Sequence, residues 1–190
     1  MVNIQEEKVS DVAAREGLLD AAYGTARFAK TSERLREGRL PANSLSFVAV
    51  DRGQIVGTVR LWHVTAGPAR PALLLGPLAV HPDHRNRGIG SALVRRAIVH
   101  ARLAGHRAIL LIGDVAYYGR FGFTAEQTGR LWMPGRFRRE RLLALELRPA
   151  ALAGAYGLIG ATGQMQPKPD LMTLIVAKSG TQNSLVRCAA

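Results

Sequence analysis

The sequence predicts one α/β domain, a central mixed β-sheet flanked by helices, and three observations lead there. Residues 45–50 and 54–64 are strand-like runs separated only by the turn Asp51-Arg52-Gly53, which makes a β-hairpin. Two near-continuous apolar runs, 72–80 and 108–113, bracket a glycine turn and an amphipathic segment. That is a strand–helix–strand unit, whose strands run parallel with a right-handed crossover. At 190 residues and 47% apolar, the chain can fill one hydrophobic core and is too short for two full domains.

Residues 4–40 carry two helix-like stretches: 11–19, with apolar residues at helical spacing, and 31–36, opening on the cap-type hydroxyls of Thr31 and Ser32. Pro41 ends this helical region, and the hairpin follows. The loop Gly67-Pro68-Ala69-Arg70-Pro71 leads into 72–80, whose unbroken apolar character fits a strand covered on both faces. Gly76-Pro77 interrupts it; proline cannot donate to a ladder, so the pair marks a bulge or a parting of neighbouring strands. Beyond His81-Pro82, the residues Ile89, Ala92, Leu93, Ala97 and Ala101 recur at helical spacing until Gly105 closes the helix. Residues 108–113 form the next buried strand, 116–121 a short helix and 142–147 a further strand, while 149–161 is rich in alanine and glycine. The apolar run 171–177 reads as an added edge strand or a loosely held tail. The expected organisation is a domain over residues 1–150 with a C-terminal extension over 151–190.

The formal charge is +12, nearly all from arginine, since Lys8, Lys30, Lys168 and Lys178 are the only lysines. Such a field favours anionic ligands, although arginine-rich solvated faces account for the charge equally well. The arginines are dispersed and only 6% of residues are aromatic, which argues against nucleic acid as the partner. No apolar run approaches the ~20 residues of a membrane span and the N-terminus lacks a basic-then-apolar leader, so a cytoplasmic, membrane-free protein is expected. Cys188 is the single cysteine, which rules out an intrachain disulfide and a multi-cysteine metal site; no metal is expected.

The turn Arg85-Asn86-Arg87-Gly88-Ile89-Gly90 at the helix start is where chemistry concentrates. A helix N-terminus offers free backbone N–H groups and the positive end of the helix dipole, both suited to phosphate. Gly88 and Gly90 permit close backbone approach, and Arg85 and Arg87 add charge. The turn lacks the third glycine of a dinucleotide fingerprint and the Gly-Lys-Ser/Thr ending of a nucleotide-triphosphate loop, so both of those classes drop out.

Leu78-Ala79-Val80-His81-Pro82, then Arg85-x-x-Gly88-x-Gly90, then Tyr118-x-x-Phe121-Gly122-Phe123 after the next strand resemble, in order and spacing, the GNAT superfamily of N-acetyltransferases. The wider context, 75–82 with Gly113-Asp114 and 117–123, is similar to the YhbS-like predicted acetyltransferases, and the resemblance covers about residues 2–150. It implies a mixed sheet whose two middle parallel strands splay apart, with the pantetheine arm of acetyl-CoA in the wedge. It further implies that the main chain of Leu78, Ala79 and Val80 pairs with the pantetheine amides. Arg85, Asn86, Arg87, Gly88, Ile89, Gly90 and Ser91 would hold the pyrophosphate, and Arg120 would meet the 3′-phosphate.

In such a reaction an amine attacks a thioester, so the site must take a proton from the ammonium, stabilise an oxyanion and protonate the departing thiolate. Tyr118 matches the family's general acid; its neighbour Tyr117 is expected to pack elsewhere. Two departures stand out. Pro77 occupies the place where many members carry a carboxylate base, and Leu111 replaces the family's asparagine seven residues before the tyrosine. Asp114, His63, His81, Glu126, Glu140 and Glu146 are substitutes on paper, and none is singled out as the base. The arginines at 130, 136, 138, 139 and 141 read as a loop that, placed at an acceptor mouth, would favour an acidic acceptor. The expected activity is acyl transfer from acyl-CoA to a small-molecule or protein amine, with homodimerisation left open. The alternative is a non-catalytic acyl-CoA-binding or sensing module with a basic surface.

Overall fold

In the computed structural model, which describes residues 2–167, alternation of buried side chains organises the sheet. Along β3 (Gln54–Ala66), β4 (Pro71–Val80) and β5 (Ala108–Ile112), residues such as Leu61, Leu73, Leu75, Ile109 and Leu111 point to one core. Their neighbours Trp62, Leu74, Ala108 and Leu110 point to a second. Successive strand side chains alternate faces, so strands apolar at every position must be covered on both sides.

The sheet order is β1 (Asn3–Glu6), β2 (Ser46–Asp51), β3, β4, β5 and β7 (Leu142–Glu146). β1 to β4 are antiparallel neighbours, β4 and β5 are parallel, and β5 and β7 are antiparallel. The expected hairpin turns at Arg52 and Gly53, both with positive φ. The strand–helix–strand crossover runs through α2 (Ile89–Leu103), which buries Ile89, Leu93, Val94, Ala97 and Ala101. The helix lies close because Gly57 has no side chain: a Cβ there would sit 3.0 Å from both Ile89 and Leu93. It ends as the sequence indicates, with Gly105 at φ +80 and the His106 N–H donating to the Ala101 carbonyl at 3.0 Å.

On the opposite face, α1 (Val12–Tyr23) packs Leu18 and Leu19 against Ala79. A strip from Leu131 to Ile159 covers the rest. Within it β6 (Leu131–Trp132) pairs in parallel with β8 (Gly157–Ala161), which is antiparallel to the far end of β3.

Residues 3–6, ahead of the two helix-like stretches, form the strand β1, unassigned from sequence alone. Residues 31–36 hold only a short 3-10 turn, Glu33–Leu35, rather than a helix. The run 171–177 and Cys188 lie outside the described residues.

The sheet splits where the Gly76-Pro77 interruption pointed. β4 and β5 pair only at Leu73 with Ile109 and Leu74 with Leu110. Beyond that, β4 stays on β3 as far as Val80 while β5 stays on β7 as far as Ile112, so the facing edges part into a wedge. A register shift in β3 between Val59 and Leu61 lies opposite Gly76-Pro77.

Candidate active site

The wide end of the wedge meets the start of α2. Asn86 and Gly88 have φ of +61 and +77, so the chain turns sharply and Gly88 caps the helix. The first main-chain bond of α2 runs from the Ala92 N–H to the Gly88 carbonyl, leaving the N–H groups of Ile89, Gly90 and Ser91 without intrahelical acceptors. Arg85, Asn86, Gly88, Ile89, Gly90 and Ser91 line one open pocket there. Arg120, at the end of α3 (Val115–Gly119), joins it by donating to the Ser91 Oγ at 3.1 Å. Arg87 turns toward Asp51, 3.7 Å away.

Tyr117 points away from Tyr118 and lies over this turn: a Cβ on Gly90 would come within 2.8 Å of its hydroxyl. The Arg120 guanidinium stacks on its ring at 4.4 Å. From here a groove follows Leu78, Ala79 and Val80 along β4 to Tyr23 at the end of α1. The Tyr23 hydroxyl donates to the Leu78 carbonyl.

At the narrow end lies Tyr118. Its ring occupies the space that a side chain on Gly113 would need, and it packs edge-on to Tyr117 and Phe123. Burial, reinforced by the Tyr23 and Tyr117 phenols, pushes its hydroxyl above the ordinary phenol range, with Arg141 opposing. Tyr118, Pro77, Leu78 and Ile112 wall a cavity of about 110 Å³. Its far wall comes from the 27–36 segment: Arg27, Lys30, Ser32, Glu33 and Arg36.

None of the six substitute bases lines that cavity. Asp114 accepts the Tyr117 N–H at 2.8 Å and so caps α3, and Glu146 accepts the Leu152 N–H at 2.6 Å. His63 faces His106, His81 accepts the Asp83 N–H, Glu140 lies by Arg138, and Glu126 is exposed. The carboxylate that does line it is Glu33, hidden from sequence reasoning inside a stretch read as helical. The arginine loop approaches the same segment: Arg34 donates to the Pro134 carbonyl at 2.8 Å and Thr31 to the Arg136 carbonyl. Arg139 and Arg141 are spent on the backbone carbonyls of Thr128, Gly129 and Gly113.

A split parallel strand pair, with an anion-receiving helix start at one end and a buried phenol at the other, defines a site for a long phosphate-bearing ligand whose far end meets a proton donor. Comparison with known proteins agrees. Residues 42–125 match the acetyltransferase (GNAT) domain. The chain is 30% identical to the uncharacterized N-acetyltransferase YhbS of Escherichia coli over 82% of its own length and 93% of that protein. It is 33% identical to the uncharacterized N-acetyltransferase YjhQ of the same organism, spanning 58% of that protein. The crystal structure of YhbS in complex with CoA superposes with a TM-score of 0.72 at 28% identity, covering 85% of this chain and 89% of that one. A GNAT acetyltransferase from Brucella melitensis in complex with acetyl-CoA superposes at 0.59 and 27% identity, covering 89% and 97%. The chain belongs to the GNAT family of N-acetyltransferases, enzymes that move an acyl group from acyl-coenzyme A to an amine.

Proposed function

We propose that this cytoplasmic enzyme acetylates a primary amine by direct attack on acetyl-CoA, with Tyr118 as the general acid. The observation that carries the reading is the lodging of the Tyr118 phenol against Gly113 at the narrow end of the wedge, beside Pro77 and Leu78. Among the described residues no helix is long and apolar enough to cross a membrane.

The residues present fit the co-substrate. Unpartnered N–H groups at the α2 start, with Arg85 and Arg120, suit a pyrophosphate and a further phosphate. The edge of β4 at Leu78–Val80, left without a β5 partner, suits the pantetheine amides, and the Leu78 carbonyl, now held by Tyr23, would exchange that donor for one of them. The amine nitrogen then attacks the thioester carbonyl carbon; the C–N bond forms and the C–S bond breaks. The thiolate takes the Tyr118 proton, and the proton lost by the amine leaves through solvent or the Glu33 carboxylate, from which Tyr118 is recharged. Burial and the raised pKa keep the phenol in its protonated form, the form a proton donor must hold.

One observation favours a sensing module instead: Pro77 occupies the position where a carboxylate would stand. Calorimetric titration of acetyl-CoA into the wild type and Gly88→Glu, followed by thiol release with an amine panel, separates the readings. The expected result is binding lost in Gly88→Glu and thiol release above the amine-free rate. Binding without turnover would identify a sensor; no binding would overturn both.

A further inference from the structure

The acceptor cavity has an unusual charge inventory for a pocket that must take an amine. Arg27 is neutralised by Glu16 and by Asp20 at 2.8 Å. Arg36 is buried at 7% exposure and meets Glu33 at 2.7 Å through one terminal nitrogen. Its Nε is buried without a hydrogen-bond partner, and its other terminal nitrogen faces Gly76 at the wedge. Lys30 lies 4.0 Å over the Tyr23 ring and has no carboxylate partner among the described residues. Burial, with Arg36 and Arg141 adding like charge, holds its ammonium below the usual lysine range. Arg141 donates to the Gly113 carbonyl at 3.2 Å.

A buried guanidinium with an unmade hydrogen bond is costly, and the like charge of the nearby lysine adds repulsion to it. Both penalties vanish when the incoming molecule brings an anion. Glu33, the single carboxylate of the wall, meets Arg36 through Oε2 and has its Oε1 to offer the ammonium.

Resting on the acyl-transfer reading above, we infer that the acceptor is a small amine carrying a carboxylate near its amino group, an amino-acid-like zwitterion, with the carboxylate held by Lys30 and Arg36 and the ammonium by Glu33. A cavity of about 110 Å³ holds a handful of waters or one such molecule. Diamines and polyamines are selected against by the same cations. The transfer step is unchanged: the acceptor nitrogen forms the C–N bond, the C–S bond breaks, and Tyr118 protonates the sulfur.

The test is thiol release from acetyl-CoA with matched acid and amide pairs, glycine against glycinamide and glutamate against isoglutamine. Acetyl-CoA binding is measured on the same preparations. The acids are expected to exceed their amides by about tenfold or more in kcat/KM, the scale of one charge-assisted hydrogen bond. Lys30→Gln, at an exposed position, and Arg36→Gln should each shrink that ratio toward one. Amides used as well as acids, or a ratio unmoved by Lys30→Gln, overturn the inference while intact acetyl-CoA binding and amine-dependent thiol release leave the acyl-transfer reading standing. A wild type that does not bind acetyl-CoA overturns both.

Discussion

Tyr117 and Tyr118 are adjacent in sequence, with rings 4.9 Å apart at 80°, yet they serve opposite ends of the wedge because each helical residue turns about 100°. Tyr117 meets the turn at the start of α2, proposed to take the pyrophosphate, and Tyr118 the cavity proposed to take the acceptor. Tyr118→Phe removes the proton donor and little else, so kcat is expected to fall by about 10²- to 10⁴-fold while the KM for acetyl-CoA stays close to wild type. The pH dependence follows from the raised pKa. Stability tied to the neutral phenol is fully present below the unfolded value of about 10 and is lost as pH rises through the higher folded value. Urea midpoints of wild type should therefore drop more between pH 8 and 10.5 than those of Tyr118→Phe, and equal drops would contradict this account of the burial. Gly113 makes a separate prediction. A methyl there would fall on the Tyr118 ring, so Gly113→Ala must displace the phenol. It is expected to cost about tenfold to hundredfold in kcat with acetyl-CoA binding retained by calorimetry.

At the scale of elements, α1 is anchored by ions as well as by Leu18 and Leu19. Glu7 follows β1 and is buried between Arg15 of α1, at 3.1 Å, and Arg60 of β3, at 2.8 Å. Removing one member of a buried ion network strands the others, so Glu7→Ala should destabilise by about 3 kcal/mol and lower Tm by about 10 °C. A thermal melt checks it, and a shift under about 3 °C would mean that solvent already screens the cluster. The elements that sequence alone reveals are those whose pattern is local: the hairpin around Asp51-Arg52-Gly53, α2 with its glycine ends, and the apolar strands β4 and β5. β1 is four residues long and its pairing partner β2 lies about forty residues away. β8 has only Leu158 and Ile159 between glycines and an alanine, too short an apolar run to read as a strand, and pairing with β3 and β6 makes it one. The 31–36 stretch carries helix-start hydroxyls, yet Thr31 and Arg34 bind the loop near Pro134 and Arg136, contacts that no local pattern encodes. The candidate site divides in the same way. Its glycine turn and Tyr118 stand at readable spacings, whereas Tyr23, Lys30, Glu33 and Arg36 reach the wedge only by tertiary packing.

For the whole molecule the relevant quantity is the field of a chain with formal charge +12 facing a ligand rich in phosphate. That field and the local contacts respond differently to salt. Screening acts on separated charges, with a Debye length falling from about 10 Å at 0.1 M to about 3 Å at 1 M, and steering by net charge fades with it. Hydrogen bonds from the N–H groups of Ile89, Gly90 and Ser91 act at contact and are screened far less. Raising NaCl from 0.05 to 0.5 M is therefore expected to weaken acetyl-CoA binding by roughly tenfold, mostly through the association rate. At 100 times the prevailing Kd, acetyl-CoA should still stabilise the fold by about 2.7 kcal/mol at either salt concentration, an upward Tm shift of several degrees. Stopped-flow association and thermal melts at the two salt concentrations measure both quantities. An association rate indifferent to salt would reduce the arginine excess to a property of the solvated surface and leave recognition to the α2 turn alone. A dissociation rate that climbs with salt would instead place Arg85 and Arg120 in direct ion pairs with the phosphates.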